Sequence, residues 1–293
     1  MASIAMAVIL IGLKSWASYE TDSTAMLGSL ADSGLDFVAS LIILLGVRVA
    51  AQPADYEHRF GHGKAEALAS LVQAIIITFS AIFIGFRSIE RLLSGAKTGD
   101  AELGIGVSIV AMILTFCLIA YQRHVVRRTG SLAIGTDRLH YSSDLLLNGS
   151  VIVALGLDQY AGLTGADAVF GLLIALWLLF GAWRSSIDAL NQLMDREWPD
   201  DLRERFLAAA KEYPELKGLH DLRTRSSGTH YFAQFHVWVP ANWTVQEAHD
   251  CLDAIEEALQ QRFPGTEILI HVDPEGQTDR ETMLPQEITE RAT

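Results

Sequence analysis

The chain has 293 residues, half of them hydrophobic and only 19% charged, against about 25% in an ordinary soluble domain. The charge is uneven, −3 over residues 1–194 and −10 over 195–293, so two domains meeting near Asp195 are expected. An acidic second half without a basic stripe excludes nucleic acid as a partner, and two cysteines, Cys117 and Cys251, exclude a disulfide-stapled secreted domain and a cysteine-rich zinc site.

Six apolar stretches divide the first domain, at 1–19, 26–50, 67–86, 103–121, 139–157 and 168–183. The third and fourth contain no charge and approach the roughly 20 residues that cross a bilayer. The first could be read as a signal peptide, but it has no positive n-region and Lys14 stands at the wrong end, so a retained helix is expected. Arg48, Arg59, Lys64, Arg123, Arg127, Arg128 and Arg184 cluster after the second, fourth and sixth stretches. Both termini and the acidic domain are therefore expected in the cytoplasm.

Span 2 reads SLADSGLDFVASLIILLGV, with Asp32 and Asp36 stacked on one helix face by their four-residue spacing. Each ionised carboxylate at bilayer depth costs roughly 2.5–3.5 kcal/mol, so the pair requires a visiting cation or protonation. Neither span 2 nor span 5 supplies a lysine or arginine on the matching face. The next loop, PADYEHRFGHGK, holds Asp55, His58 and His62 within eight residues. Its Pro and Gly residues leave the backbone free to curl three ligands around one ion, although a loop with two histidines is more often simply solvated. Lys64 opens span 3, where a lysine can serve as an interfacial anchor.

Span 5 begins LHYSSDLLLNGSV, and His140 and Asp144 repeat the four-residue spacing of span 2. If the two helices face each other, three carboxylates and one imidazole converge. That donor set suits a tetrahedral ion of the Zn²⁺ type and tolerates Fe²⁺, Cd²⁺ or Mn²⁺. The plainer reading places Asp32 and Asp144 near water at helix ends, but charged pairs on two separate spans are rare without a function.

The acidic domain begins with a helical pattern at 200–213, stopped by Pro214 and Gly218. Strands are expected at 219–225, 231–239 and 267–272, with a second helix at 245–263. The order α-β-β-α-β makes a small layered α+β domain. Alternation sends His271 and Asp273 to one face and turns His236 away from the side holding Phe235 and Val237. His220 opens the first strand and His249 lies on the second helix; each could be a hydrogen-bonded structural histidine. Residues 277–293 are polar and aperiodic, and a disordered tail is expected there.

The runs SLADSGLD, RFGHGKAE, LHYSSD, LHDLRTRSSG and ILIHVDPEG together resemble the cation diffusion facilitator family, over about residues 4–275. The resemblance implies a homodimer in a membrane, such as a bacterial inner membrane, that exports Zn²⁺, or Fe²⁺, Cd²⁺ or Mn²⁺, in exchange for protons. It implies a six-helix all-α membrane domain over 1–194 and a metallochaperone-like α+β cytoplasmic domain over 195–276. By the same resemblance, Asp32, Asp36, His140 and Asp144 form the transport site, and Asp55, His58 and His62 a loop site. His220, His236, His249, His271 and Asp273 form a cytoplasmic metal cluster at the dimer interface, and Lys64 pairs with Asp195 in a charge interlock. Zinc-selective eukaryotic relatives often place His where Asp32 stands, which leaves the selectivity of this chain open. Two other classes compete: a membrane metal sensor without transport, and an intramembrane aspartyl protease, whose dyad would need two carboxylates sharing a proton.

Overall fold

The structure, a computed structural model, describes residues 1–21, 24–94, 105–161 and 165–276. The expected tail at 277–293 lies outside them. The chain forms two compact units, Met1–Leu190 and Asn191–Thr293.

The first unit is helical: α1 (Ala2–Thr21), α2 (Thr24–Ala50), α3 (Lys64–Ser94), α4 (Ile105–Thr129), α5 (Leu132–Ala161) and α6 (Ala166–Leu193). Among the described residues, four of these helices contain stretches long and apolar enough to cross a membrane, in α2, α3, α4 and α6. In α3 the buried positions are mostly small or polar, Glu66, Ala67, Ala69, Ser70, Gln73, Ala74, Ala81 and Ser88 among them. Its large side chains Phe79, Ile82, Phe83 and Phe86 are exposed. This inversion of the soluble pattern is that of a helix solvated by lipid, where close backbone approach and polar contacts, not apolar burial, hold helices together.

Small residues set the packing. A Cβ on Gly46 of α2 would stand 2.3 Å from the Cβ of Ala69 in α3, so glycine is what lets these two helices touch. Ile77 and Ala81 of α3 pack with Ile174, Leu178 and Ala182 of α6. Met6 and Leu10 of α1 pack with Leu118 of α4 and Tyr141 of α5.

The start of α5 is fixed from outside the helix. Ser131 Oγ accepts from the backbone N–H of Ile134 (3.2 Å), the bond of an N-cap. The buried Glu66 carboxylate of α3 accepts from the Ser131 hydroxyl and from the Ala133 N–H at 3.2 Å. One turn further along each helix, Ser70 and Thr136 share a hydroxyl hydrogen bond. Together these contacts lock α3 and α5 in register.

The second unit contains α7 (Asp200–Ala210), β1 (Lys217–Ser227), β2 (His230–Val239), α8 (Val245–Arg262) and β3 (Thr266–Pro274). The sheet order is β1-β2-β3, with β1 antiparallel to β2 and β2 parallel to β3. This is the expected α-β-β-α-β order. The strands run longer than alternation predicted: β1 continues through two irregularities flanking His220, and β3 pairs with β2 as far as Pro274. Phe206 of α7, Phe235 and Val237 of β2, and Leu252, Ile255 and Leu259 of α8 form the core. A Thr244–Glu247 capping box starts α8, and the Thr244 backbone N–H holds the Glu247 carboxyl below its usual range.

Glu66→Ala removes an acceptor from two buried donors, each worth roughly 1–3 kcal/mol when left unpaired. Thermal unfolding of the full chain in detergent should show a clear loss for Glu66→Ala and a smaller one for Glu66→Gln, which keeps a carbonyl oxygen.

Candidate metal centres

Three groups of potential ligands are drawn together among the described residues, each offering one ligand atom per residue within 4.8 Å of the others: Asp36, His140 and Asp144; Asp55, His58 and His62; and His220, His236 and Asp273.

The first lies between α2 and α5. His140 Nε2 is 2.9 Å from Asp36 Oδ1, and both residues are buried. Asp144, one turn beyond His140, completes the group. The side chain of Asp32 lies outside the described residues. Around the group, Tyr141 shares a hydroxyl hydrogen bond with Ser40 of α2 (2.9 Å). A cation also stands near, on a helix that the spacing of spans 2 and 5 could not indicate: Lys14 Nζ of α1 donates to Ser33 Oγ at 2.6 Å. Gln73 of α3 is fully buried with neither amide atom hydrogen-bonded. An uncharged residue inside an apolar run gave no sequence signal for it.

The second group is a folded turn between α2 and α3. Asp55 Oδ1 accepts from the backbone N–H of His58 (2.7 Å) and of Glu57 (2.9 Å). These bonds, that from His58 foremost, hold the Asp55 carboxyl below its ordinary range and keep it an anionic ligand. His58 Nδ1 lies 3.4 Å from Asp55 Oδ1 and His62 Nε2 lies 3.3 Å from Asp55 Oδ2. Gly61 takes φ +76°, a backbone state that brings the chain back so that the two imidazoles sit 4.6 Å apart. Lys64 begins α3 two residues after His62.

The third group is built by sheet register, which pairs His220 with His236 and His236 with His271. Three histidines therefore form a row across β1, β2 and β3, on the face opposite Phe235 and Val237. Asp273 receives them: His236 Nδ1 donates to its Oδ2 at 3.0 Å, and His220 Nε2 stands 3.3 Å from the same oxygen. His271 Nε2 is 3.6 Å from Oδ1, while its ring is largely exposed. His249 on α8 is exposed and stays outside the gathered group. His220 Nδ1 donates to the Gly218 carbonyl at 2.7 Å, which fixes the proton on Nδ1 and leaves Nε2, buried and without a hydrogen bond, as a lone-pair donor. That outer-shell arrangement orients metal-binding histidines. Gly218 must be glycine here: its φ is +58° and a Cβ would lie 2.2 Å from the Trp238 ring.

Asp221 also borders the group, with Oδ2 3.8 Å from His236 Nε2 and neutralised by Arg223 Nη2 at 2.8 Å. Its left-handed φ of 50° is what turns it toward the histidine row, and no alternation rule foretells that. Asp195 lies 3.7 Å from Arg225 within the second unit, whereas Lys64 belongs to the first.

Comparison with known proteins agrees with this architecture. A family model described as the cation efflux transmembrane domain matches residues 1–194, and one described as the cytoplasmic domain of cation efflux proteins matches 198–275. The chain belongs to the cation efflux family. It is 44% identical over 274 residues to the cation-efflux pump FieF of Salmonella typhimurium, covering 94% of this chain and 91% of that protein. It is 43% identical over the same length to FieF of Salmonella arizonae. A solved structure of the metal-bound C-terminal domain of the CzcD transporter from Thermotoga maritima is 28% identical, covers 27% of this chain and 93% of that one, and gives a TM-score of 0.26. The protein is thus an integral membrane cation efflux transporter, which removes the protease and the transport-free sensor from consideration.

Gly218→Ala forces a left-handed backbone worth roughly 1–2 kcal/mol onto a residue with a Cβ and displaces the carbonyl that orients His220. Calorimetric titration of the full chain with Zn²⁺ should show one class of sites weakened by about 10- to 100-fold. The other classes should be unchanged.

Proposed function

We propose that this efflux protein is a homodimeric antiporter that moves a cytoplasmic divalent cation outward against protons, with Zn²⁺ as its first substrate and Fe²⁺, Cd²⁺ or Mn²⁺ as further ones. Six helices span the membrane in this reading, and both termini are cytoplasmic. The observation that carries it is the buried convergence of Asp36, His140 and Asp144 between α2 and α5. Asp32 is the fourth ligand, one turn before Asp36 on the same face of α2.

Coupling follows from shared atoms. A metal needs the lone pair of His140 and ionised aspartates, whereas the same atoms without a metal hold protons. In low dielectric two or three adjacent carboxylates cannot all remain ionised and unpaired. Metal arrival therefore releases protons, and proton arrival from an acidic exterior releases metal. Alternating exposure of the cluster to the two sides turns that competition into export.

Asp55, His58 and His62 serve as a loop-borne metal site, and His220, His236, His271 and Asp273 as a cytoplasmic one, with His249 recruited from α8. A metal bridging two copies would offset repulsion between domains of charge −10. Lys64 and Asp195 form a charge interlock between the membrane and cytoplasmic domains.

The full chain reconstituted in vesicles, with the cytoplasmic face outward, should accumulate Zn²⁺ faster when the lumen is acidic than when the two sides are equal. Asp36→Ala should lower that flux by more than roughly 100-fold, the upper range for loss of a supporting contact around a metal. Flux that ignores the pH gradient removes the antiport reading; flux that survives Asp36→Ala removes the site.

A further inference from the structure

Three buried polar residues run along one stripe of α2 at the three- and four-residue spacing of a helix face: Ser33, Asp36 and Ser40, which are 0%, 8% and 2% exposed. Each meets a polar partner from another helix. Ser40 shares a hydroxyl hydrogen bond with Tyr141 at 2.9 Å, Asp36 Oδ1 lies 2.9 Å from His140 Nε2, and Ser33 Oγ accepts from Lys14 Nζ at 2.6 Å. Two of these partners are neighbours on α5. The third is a cation carried by α1.

Helical spacing also explains how α1 presents that cation. Met6, Leu10 and Lys14 recur every four residues and share a face, and Met6 and Leu10 pack with Tyr141 and Leu118. Lys14 therefore continues the face that α1 turns toward the metal-binding helices. Side chains three residues apart on a helix have Cβ atoms about 5–6 Å apart, so an ammonium held on Ser33 stands within roughly 10 Å of the Asp36 carboxylate. Arg138, two residues before His140, falls on the far side of α5. Ser33 is also nearer than Asp36 to the end where α1, closing at Thr21, gives way to α2, opening at Thr24.

A positive charge at that distance acts on whatever the carboxylates hold, in a medium that screens it far less than water does. It disfavours a doubly charged ion twice as strongly as a singly charged one, and it favours the cluster once the ion has left. A lysine within a membrane helix is itself costly, and the second effect offsets that cost. We propose that Lys14 sets the release of the transported cation: its ammonium is a tethered counter-charge on the exterior flank of the site that weakens the loaded state and steadies the emptied one. The proposal rests on the transport reading and orientation given above. Lys14 is not a ligand; it is a positioning residue that acts through its field at Asp36, with Ser33 holding it in place.

Two measurements on the full chain test it. Calorimetric titration with Zn²⁺ in detergent, at mildly alkaline pH where protons compete least, reads the class of sites that Asp36→Ala abolishes; initial Zn²⁺ flux into vesicles reads kcat. Lys14→Gln keeps an amide donor for Ser33 and removes the charge. It should tighten that class about tenfold, equivalent to about 1.4 kcal/mol, and lower kcat by up to the same factor as release slows. Lys14→Arg should bind and turn over as the parent does. Lys14→Met, a second neutral variant, should match Lys14→Gln and decides the matter if that one does not fold, since removing a charge from a membrane helix lowers its insertion cost. An unchanged or weaker class in the neutral variants overturns the proposal, because a residue that merely packs α1 against α2 would loosen the site on substitution. So does Lys14→Arg behaving like the neutral variants. Parent flux no greater than that of Asp36→Ala overturns the transport reading and this inference with it, whereas normal parent flux with an unaltered Asp36 class in Lys14→Gln sinks this inference alone.

Discussion

Carboxylates gathered with one imidazole between two helices of the membrane domain are the constraint on which the architecture rests. Asp36 and Asp144 flank His140 between α2 and α5, in surroundings where each ionised carboxylate costs several kilocalories per mole. Such a group is tolerable only if a cation or a proton stands beside each charge. The surrounding contacts serve to keep the two helices opposed: Gly46 against Ala69, Ser70 with Thr136, Ser40 with Tyr141. None of these is itself a ligand.

The soluble unit solves a related problem by different means. Water and surface charge are available there, and what the fold supplies is alignment. Register across three strands sets His220, His236 and His271 side by side. A glycine in a left-handed state, backed by the Trp238 ring, supplies the carbonyl that selects one tautomer of His220. The membrane group depends on helix spacing; the cytoplasmic group depends on strand pairing and one backbone carbonyl.

Much of this was legible in the sequence because its signals are local. Four-residue spacing of charge in SLADSGLD and LHYSSD, clustering in PADYEHRFGH, and alternation in the strands each point to one face of one element. Apolar runs located the helices, although among the described residues α5, rich in polar residues, does not reach the hydropathy of α3 and α4. What was not legible depends on contacts between distant segments. Asp137 is one charge beside Arg138 until the fold sets Ser3, 134 residues away, and Gln122 around it. Gln122 and Gln73 lie in or beside apolar stretches and say nothing alone. Asp221 owes its place to an unusual backbone angle, and the cation at Ser33 comes from α1, a helix that carries none of the candidate ligands.

Glu66 has a mechanical consequence. His62 of the loop group is four residues ahead of it, and Glu66 grips the first turn of α5, about 12 Å along a continuous helix from His140. Any displacement of the start of α3 is therefore shared with the first turn of α5 through the Glu66 carboxylate and is not absorbed in the loop between them.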